Sequence, residues 1–126
     1  MLTRIEGLPR NVLGFEAIGK VTHDDYRRVL IPAAEAMMAK GPVRMLFVIG
    51  ARFTGYDLEA MLDDSVFGLK HWHDFERLAL VTDHKWMRAA ISVFTPLIPA
   101  EVRLFKLNER AQAQAWITGH PGDDLP

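Results

Sequence analysis

Apolar residues in this chain follow two periods, and the switches between them mark out its elements. Val12 to Lys20, VLGFEAIGK, alternates apolar with small or polar residues after the breaks at Gly7, Pro9 and Asn11. That is the pattern of a strand paired across a turn with MLTRIE, giving an N-terminal β-hairpin. Thr22, followed by Asp24 and Asp25, has the chemistry of a helix start: a hydroxyl to accept an orphan amide proton, and carboxylates at the positive helix end. Tyr26, Leu30, Ala33 and Met37 repeat at helical spacing until Lys40-Gly41. Pro32 lies inside this run and lacks an amide proton, so a kink or break is expected near it.

Val43 to Ile49, VRMLFVI, is a short, nearly continuous apolar run ending at Gly50, the signature of a central strand covered on both faces. Arg77 to Val81 has the same character. Between them, Asp57 to Trp72 carries Leu58, Met61, Leu62, Ser65, Val66 and Leu69 along one face, with Asp63, Asp64 and Lys70 off it. This predicts an amphipathic crossover helix. Lys85 to Leu97 repeats Trp86, Ala90, Val93, Phe94 and Leu97 as a further helix, stopping at Pro96 and Pro99. Glu101 to Lys106 alternates as a strand, Asn108 is expected to cap a last helix ending at Gly119, and HPGDDLP, residues 120–126, is expected to form a flexible tail.

Strands alternating with helices call for an α/β fold: a mixed, mostly parallel five-stranded sheet with about four helices, its antiparallel strand supplied by the hairpin. With 126 residues, 49% of them hydrophobic and 25% charged, the chain has the material for one core and no comfortable room for two. One domain over residues 1–119 is expected. A net charge of −1 provides no chain-wide positive field for phosphate backbones, so nucleic acid is not an expected partner. With no cysteine, disulfides, thiolate zinc sites and cysteine nucleophiles are excluded, and a reducing cytoplasm is the expected location. Arg4, Glu6 and Arg10 interrupt the start, and no run reaches the roughly 20 apolar residues of a membrane helix, so neither export nor membrane insertion is expected.

In an open α/β sheet, ligands bind beyond the carboxyl ends of the strands, which directs attention to two segments. The first is GARFTGYD at 50–57, with Arg52, Phe53, Thr54, Gly55, Tyr56 and Asp57; the second is TDHKW at 82–86, with Asp83, His84, Lys85 and Trp86. Together they form a candidate switch or ligand edge. A phosphate on Thr54 would meet free helix amides there, although capping the first turn is the everyday use of Thr54 and Asp57. His71 and His73 stand two apart and point to different sides of their backbone, unlike a zinc pair four apart on a helix. His84 is expected at the opposite end of the strand between them, so no metal site is expected. There is no GxSxG, GxxxxGK[ST] or GxGxxG, and adjacent Asp63 and Asp64 read as a solvated helix face. Trp72, Trp86 and Trp116, with Met61, Phe67 and Phe94, could line an apolar pocket, though core is the commoner use of such residues.

The loop FTGYDLEAMLDD, the string FGLKHWHDFERLALVTDHKW and the later PAEVRLF, with the opening hairpin, resemble the SpoIIAA-like family of bacterial proteins, within the STAS superfamily and related to CRAL-TRIO lipid-binding domains. The resemblance implies a dimeric SpoIIAA-like fold without established enzymatic activity, and no cofactor is expected. In anti-sigma factor antagonists of that superfamily a serine before the third strand's helix is phosphorylated. Thr54-Gly55 resembles that Ser-Gly pair, with Phe53 where an aspartate or serine is expected. The first expectation is therefore a non-enzymatic module working through contacts with an unknown protein partner. The second is a small apolar or lipid-ligand carrier using Phe53, Tyr56, Trp86 and Phe94. A metal-dependent or hydrolytic enzyme comes third.

Overall fold

The computed structural model describes residues 1–71, 73–97 and 99–119, except for the side chains at positions 58, 61, 63, 65, 69, 94 and 97. The expected tail at 120–126 lies outside the described residues, as does Trp72. Five strands form one sheet in chain order: β1 (Leu2–Arg4), β2 (Val12–Val21), β3 (Val43–Tyr56), β4 (Phe75–Thr82) and β5 (Glu101–Phe105). β1 pairs antiparallel to β2, and the remaining pairings are parallel, so the expected mixed sheet and opening hairpin are both present.

Chain-ordered parallel strands have a consequence for the layers. Each right-handed crossover steps the same way, so every crossover helix falls on the same face of the sheet. That face carries α1 (His23–Asp25), continuous through a π-helical stretch (Tyr26–Leu30) with α2 (Ile31–Met38), then α3 (Leu58–Lys70) and α4 (Lys85–Phe94). Only α5 (Arg110–Thr118), which follows the last strand, is free to cover the other face.

Two cores follow from this division. Leu13, Phe15, Val43, Met45 and Ile49 look toward the crossover helices, joined by Tyr26, Leu30, Ala60, Phe67 and Met87. Val12, Leu46, Val48, Ala79 and Val81 look the other way, onto Ala113, Trp116 and Ile117 of α5. Alternate residues of β3 thus enter opposite cores, which is why its apolar run is unbroken. Two buried arginines fix α5 from below. Arg44 donates to the carbonyls of Ile117 and Gly119 and to Glu76, and Arg77 donates to the carbonyl of Trp116 at 2.7 Å. Cations belong at this negative helix end. Arg77 and Arg103 also flank the Trp116 ring, at 4.9 and 5.0 Å from its centroid.

Local chemistry departs from the sequence reading at four places. The Thr22 cap forms as expected, with the Asp25 amide donating to Thr22 Oγ1 and the Thr22 amide to Asp25 Oδ2 at 2.8 Å. Pro32 neither breaks nor ends its helix; the turn before it widens into the π-helical stretch, absorbing the missing amide. Asn108 is not a cap: a 3-10 turn, Leu107–Glu109, precedes α5, and Glu109 accepts from the Lys106 amide at 2.8 Å. The segment 50–57 is not a loop. β3 continues to Tyr56 because β2 is long enough to pair with it, through Gly19↔Phe53, Lys20↔Gly55 and Val21↔Tyr56, with irregularities that consume extra β3 residues. Gly55, at φ 146°, takes a backbone conformation that a side chain would strain. Finally, α3 is turned about its axis relative to the expectation. Ala60 and Phe67 are buried, while Leu62 and Val66 are exposed at 58% and 64%.

Candidate functional site

β3 and β4 are central strands, yet Phe47, Leu78 and Leu80 on their crossover face are only half-buried. A packed interior would cover them. The space above them is a cavity of about 440 Å³, floored by Met45, Phe47, Ile49, Leu78 and Leu80 and roofed by α3 and α4. Its volume is within the range of small-molecule sites, and its walls are overwhelmingly apolar. Phe67 lines it from α3, and Met87, Ala90 and Ile91 line it from α4. Trp86 lines it too while remaining 59% exposed, which sets that indole at the opening.

One end of the cavity is polar. Tyr26 from the π-helical stretch, Tyr56 from the end of β3 and Asp64 from α3 converge there. The Tyr26 hydroxyl donates to Asp64 Oδ1 at 3.0 Å, and the Tyr26 and Tyr56 rings stand 6.3 Å apart. Asp64 is exposed where it lines the cavity yet crowded by the protein around it, and this partial desolvation raises its pKa above the usual carboxylate value, against the lowering effect of the Tyr26 bond. Burial, with the Asp64 charge beside them, pushes both tyrosines well above the ordinary phenol value, so both stay protonated. Among the described residues no cation is paired with Asp64.

The expected edge is divided by the structure. Phe53, Tyr56 and His84 meet: Phe53 packs edge-on against Tyr56 at 5.2 Å and against His84 at 5.5 Å. Tyr56 and Trp86 line the cavity, and Phe53 is buried behind Tyr56. Arg52, Thr54 and Lys85 face solvent, and Gly55 supplies the strand irregularity. Asp57 and Asp83 have structural partners: Asp57 accepts from the Ala60 amide at 2.7 Å as the cap of α3, and Asp83 accepts from the Leu107 amide at 3.0 Å. Arg88 ties the same end of the sheet together by donating to the carbonyls of Thr82 and Phe105, both at 3.0 Å. The Phe94 side chain lies outside those described, as does that of Met61. Trp116 belongs to the opposite core.

His71 and His84 stay apart. His71, at the end of α3, binds Asp74 Oδ2 through Nδ1 at 2.7 Å and Glu35 Oε2 through Nε2 at 3.1 Å. It thereby links α2 to the turn before β4. The eight residues of β4 then lead away toward His84, roughly 25 Å at about 3.3 Å per residue. Among the described residues, no group of three or more His, Asp or Glu side chains could hold a metal ion.

Asp64 and Tyr26 escaped the sequence reading, which placed Asp64 on a solvated face. Asp64 is exposed, as that reading had it, but it also lines the cavity; the spacing Ala60, Asp64, Phe67 is that of one helix face, and the small and aromatic flanks of the carboxylate were the signal.

Comparison with known proteins fits the architecture. No curated protein matches the chain. Among solved structures it is similar to an uncharacterised protein of the DUF3478 family with a SpoIIAA-like fold from Shewanella loihica PV-4, at 28% identity and a TM-score of 0.73. The alignment covers 93% of this chain and 92% of that one. The family model described as SpoIIAA-like matches residues 12–118, from the first residue of β2 to the last of α5, and the chain belongs to the SpoIIAA-like family.

Proposed function

We propose that this chain is a non-enzymatic STAS-like module that binds a small, mainly apolar ligand in the cavity beneath α3 and α4. The observation that carries the reading is the cavity itself: about 440 Å³ of apolar-walled space over the centre of the sheet, with an aromatic at its opening. Leaving such a space empty sacrifices dispersion contacts that a bound apolar molecule restores. Alteration of the roof is the route by which occupancy reaches a partner, since α3 and α4 contribute to the cavity on their inner faces and to the protein surface on their outer ones.

A second reading, protein contact as a homodimer, is favoured by Leu62, Val66, Trp86 and Val93, large apolar residues exposed on those same helices. The two readings are compatible, because Trp86 belongs to both surfaces. Titration with the neutral fluorophore N-phenyl-1-naphthylamine tests the first. Saturable enhancement at one site per chain is expected, and it should be abolished in Ala90→Trp, which fills the space from the roof. No enhancement, or equal enhancement in that variant, would remove the ligand reading.

A further inference from the structure

Among the described residues, the cavity is apolar along its walls but carries one carboxylate and two phenols at one end. From that asymmetry we propose that its ligand is an organic cation: an amine or ammonium head seated against Asp64, Tyr26 and Tyr56, with an aliphatic or aromatic body lying over Phe47 and Leu80. This deepens the ligand reading above and rests on it.

Three features of the polar end carry the inference. Among the described residues, Asp64 accepts one hydrogen bond, from Tyr26, at Oδ1. A carboxylate has acceptor capacity for several donors, so most of the group is left to face the cavity. Among the described residues, the cavity lining contains neither lysine, arginine nor histidine. A carboxylate set against apolar walls gains from a cation that brings donors with it. The neighbours also suit a cation. Tyr26 and Tyr56 present aromatic rings beside the carboxylate, and the negative faces of such rings attract alkylammonium groups. A carboxylate or phosphate head would meet the opposite: a like charge and no basic partner.

The amphiphile's two ends therefore have separate determinants, and a matched ligand series distinguishes them. Isothermal titration of the wild-type protein would compare decylamine, decyltrimethylammonium, decanol and decanoate, all below their aggregation thresholds. One of the two cations should bind tighter than decanol by roughly ten-fold or more, the scale of a single charge-assisted contact, with decanoate weakest. In Asp64→Asn, which is nearly isosteric, the preference of cation over alcohol should collapse. Tyr26→Phe, which keeps the ring and removes the hydroxyl, should retain the preference. Saturable binding of decanol or decanoate as tight as that of both cations overturns the inference while leaving the apolar-ligand reading intact. Failure of all four to bind overturns both. Retention of the preference in Asp64→Asn, confirmed as folded by circular dichroism, shows that the head lies elsewhere and also overturns it.

Discussion

Asp64 carries a pH signature whose sign follows from its surroundings. The crowded carboxyl titrates above the usual value in the folded chain, so over that interval the native state holds a proton that the unfolded chain has released. Stability associated with this group is therefore present at low pH and falls as pH rises from the ordinary carboxylate value through the raised one. Glu35 acts in the opposite sense. Its hydrogen bond from His71 lowers its pKa, so its contribution is present above the ordinary value and fades on acidification. Comparing variants separates the two. Asp64→Asn should gain stability relative to wild type as pH rises above the ordinary carboxylate value of about 4, whereas the deficit of Glu35→Gln should be full above that value and shrink as pH falls below it, as read by urea unfolding at each pH. A constant wild-type-minus-variant difference for Asp64→Asn would show that its carboxyl is well solvated. Neither role was legible from composition. Asp64 sits beside another aspartate, and only its distance from Ala60 and Phe67 along the helix places it beside the cavity.

Elements were legible where burial alone determines them and illegible where pairing does. The apolar runs of β3 and β4 needed no further information, because a strand covered on both faces has no polar phase to obscure. The extension of β3 through GARFTGY carries glycines and an exposed arginine and reads as loop; what makes it strand is the length of β2 beside it. Helix phase on α3 failed for a related reason. Its outer face is itself apolar at Leu62 and Val66, so the hydrophobic stripe does not identify the interior. Two consequences at this scale can be measured. Gly14 lies in β2 under the connection from β1, and a Cβ there would meet Leu8 Cδ1 at 2.6 Å and Ile5 Cβ at 3.0 Å. Gly14→Ala should therefore cost about 1 to 3 kcal/mol in denaturant unfolding, by overpacking. Arg44→Met should cost about 2 to 4 kcal/mol and selectively raise amide exchange in α5, because it leaves the Ile117 and Gly119 carbonyls without their charged donor. Unchanged α5 protection would mean that packing of Trp116 and Ile117 alone holds the helix.

For the whole molecule, the strand order explains the uneven layers. Crossovers that all step one way place three helical segments on one face and leave α5 alone on the other. α5 packs closely on β3 and β4 beneath its arginines, whereas α3 and α4 roof an open volume. The sequence could show strand order by analogy with its family, but not a volume left between correctly assigned layers. Among the described residues no helix is long and apolar enough to cross a membrane, and α3 and α4 carry exposed apolar positions. If those positions form a homodimer contact, Val66→Glu combined with Val93→Glu should shift sedimentation to that of a 14.3 kDa monomer. An unchanged dimer would locate the contact elsewhere, and a wild-type monomer would dismiss it.

The central claim is that a small apolar molecule occupies the space between the sheet and its helical roof, and methionine methyl spectra observe that space directly. Met45 rises from the floor and Met87 hangs from the roof, while Met1 and Met38 do not line the cavity. On titration with a saturating decyl ligand, the Met45 and Met87 methyl signals should move together along one saturable curve while those of Met1 and Met38 stay in place. Stationary Met45 and Met87 signals, or movement confined to Met1, would contradict the account.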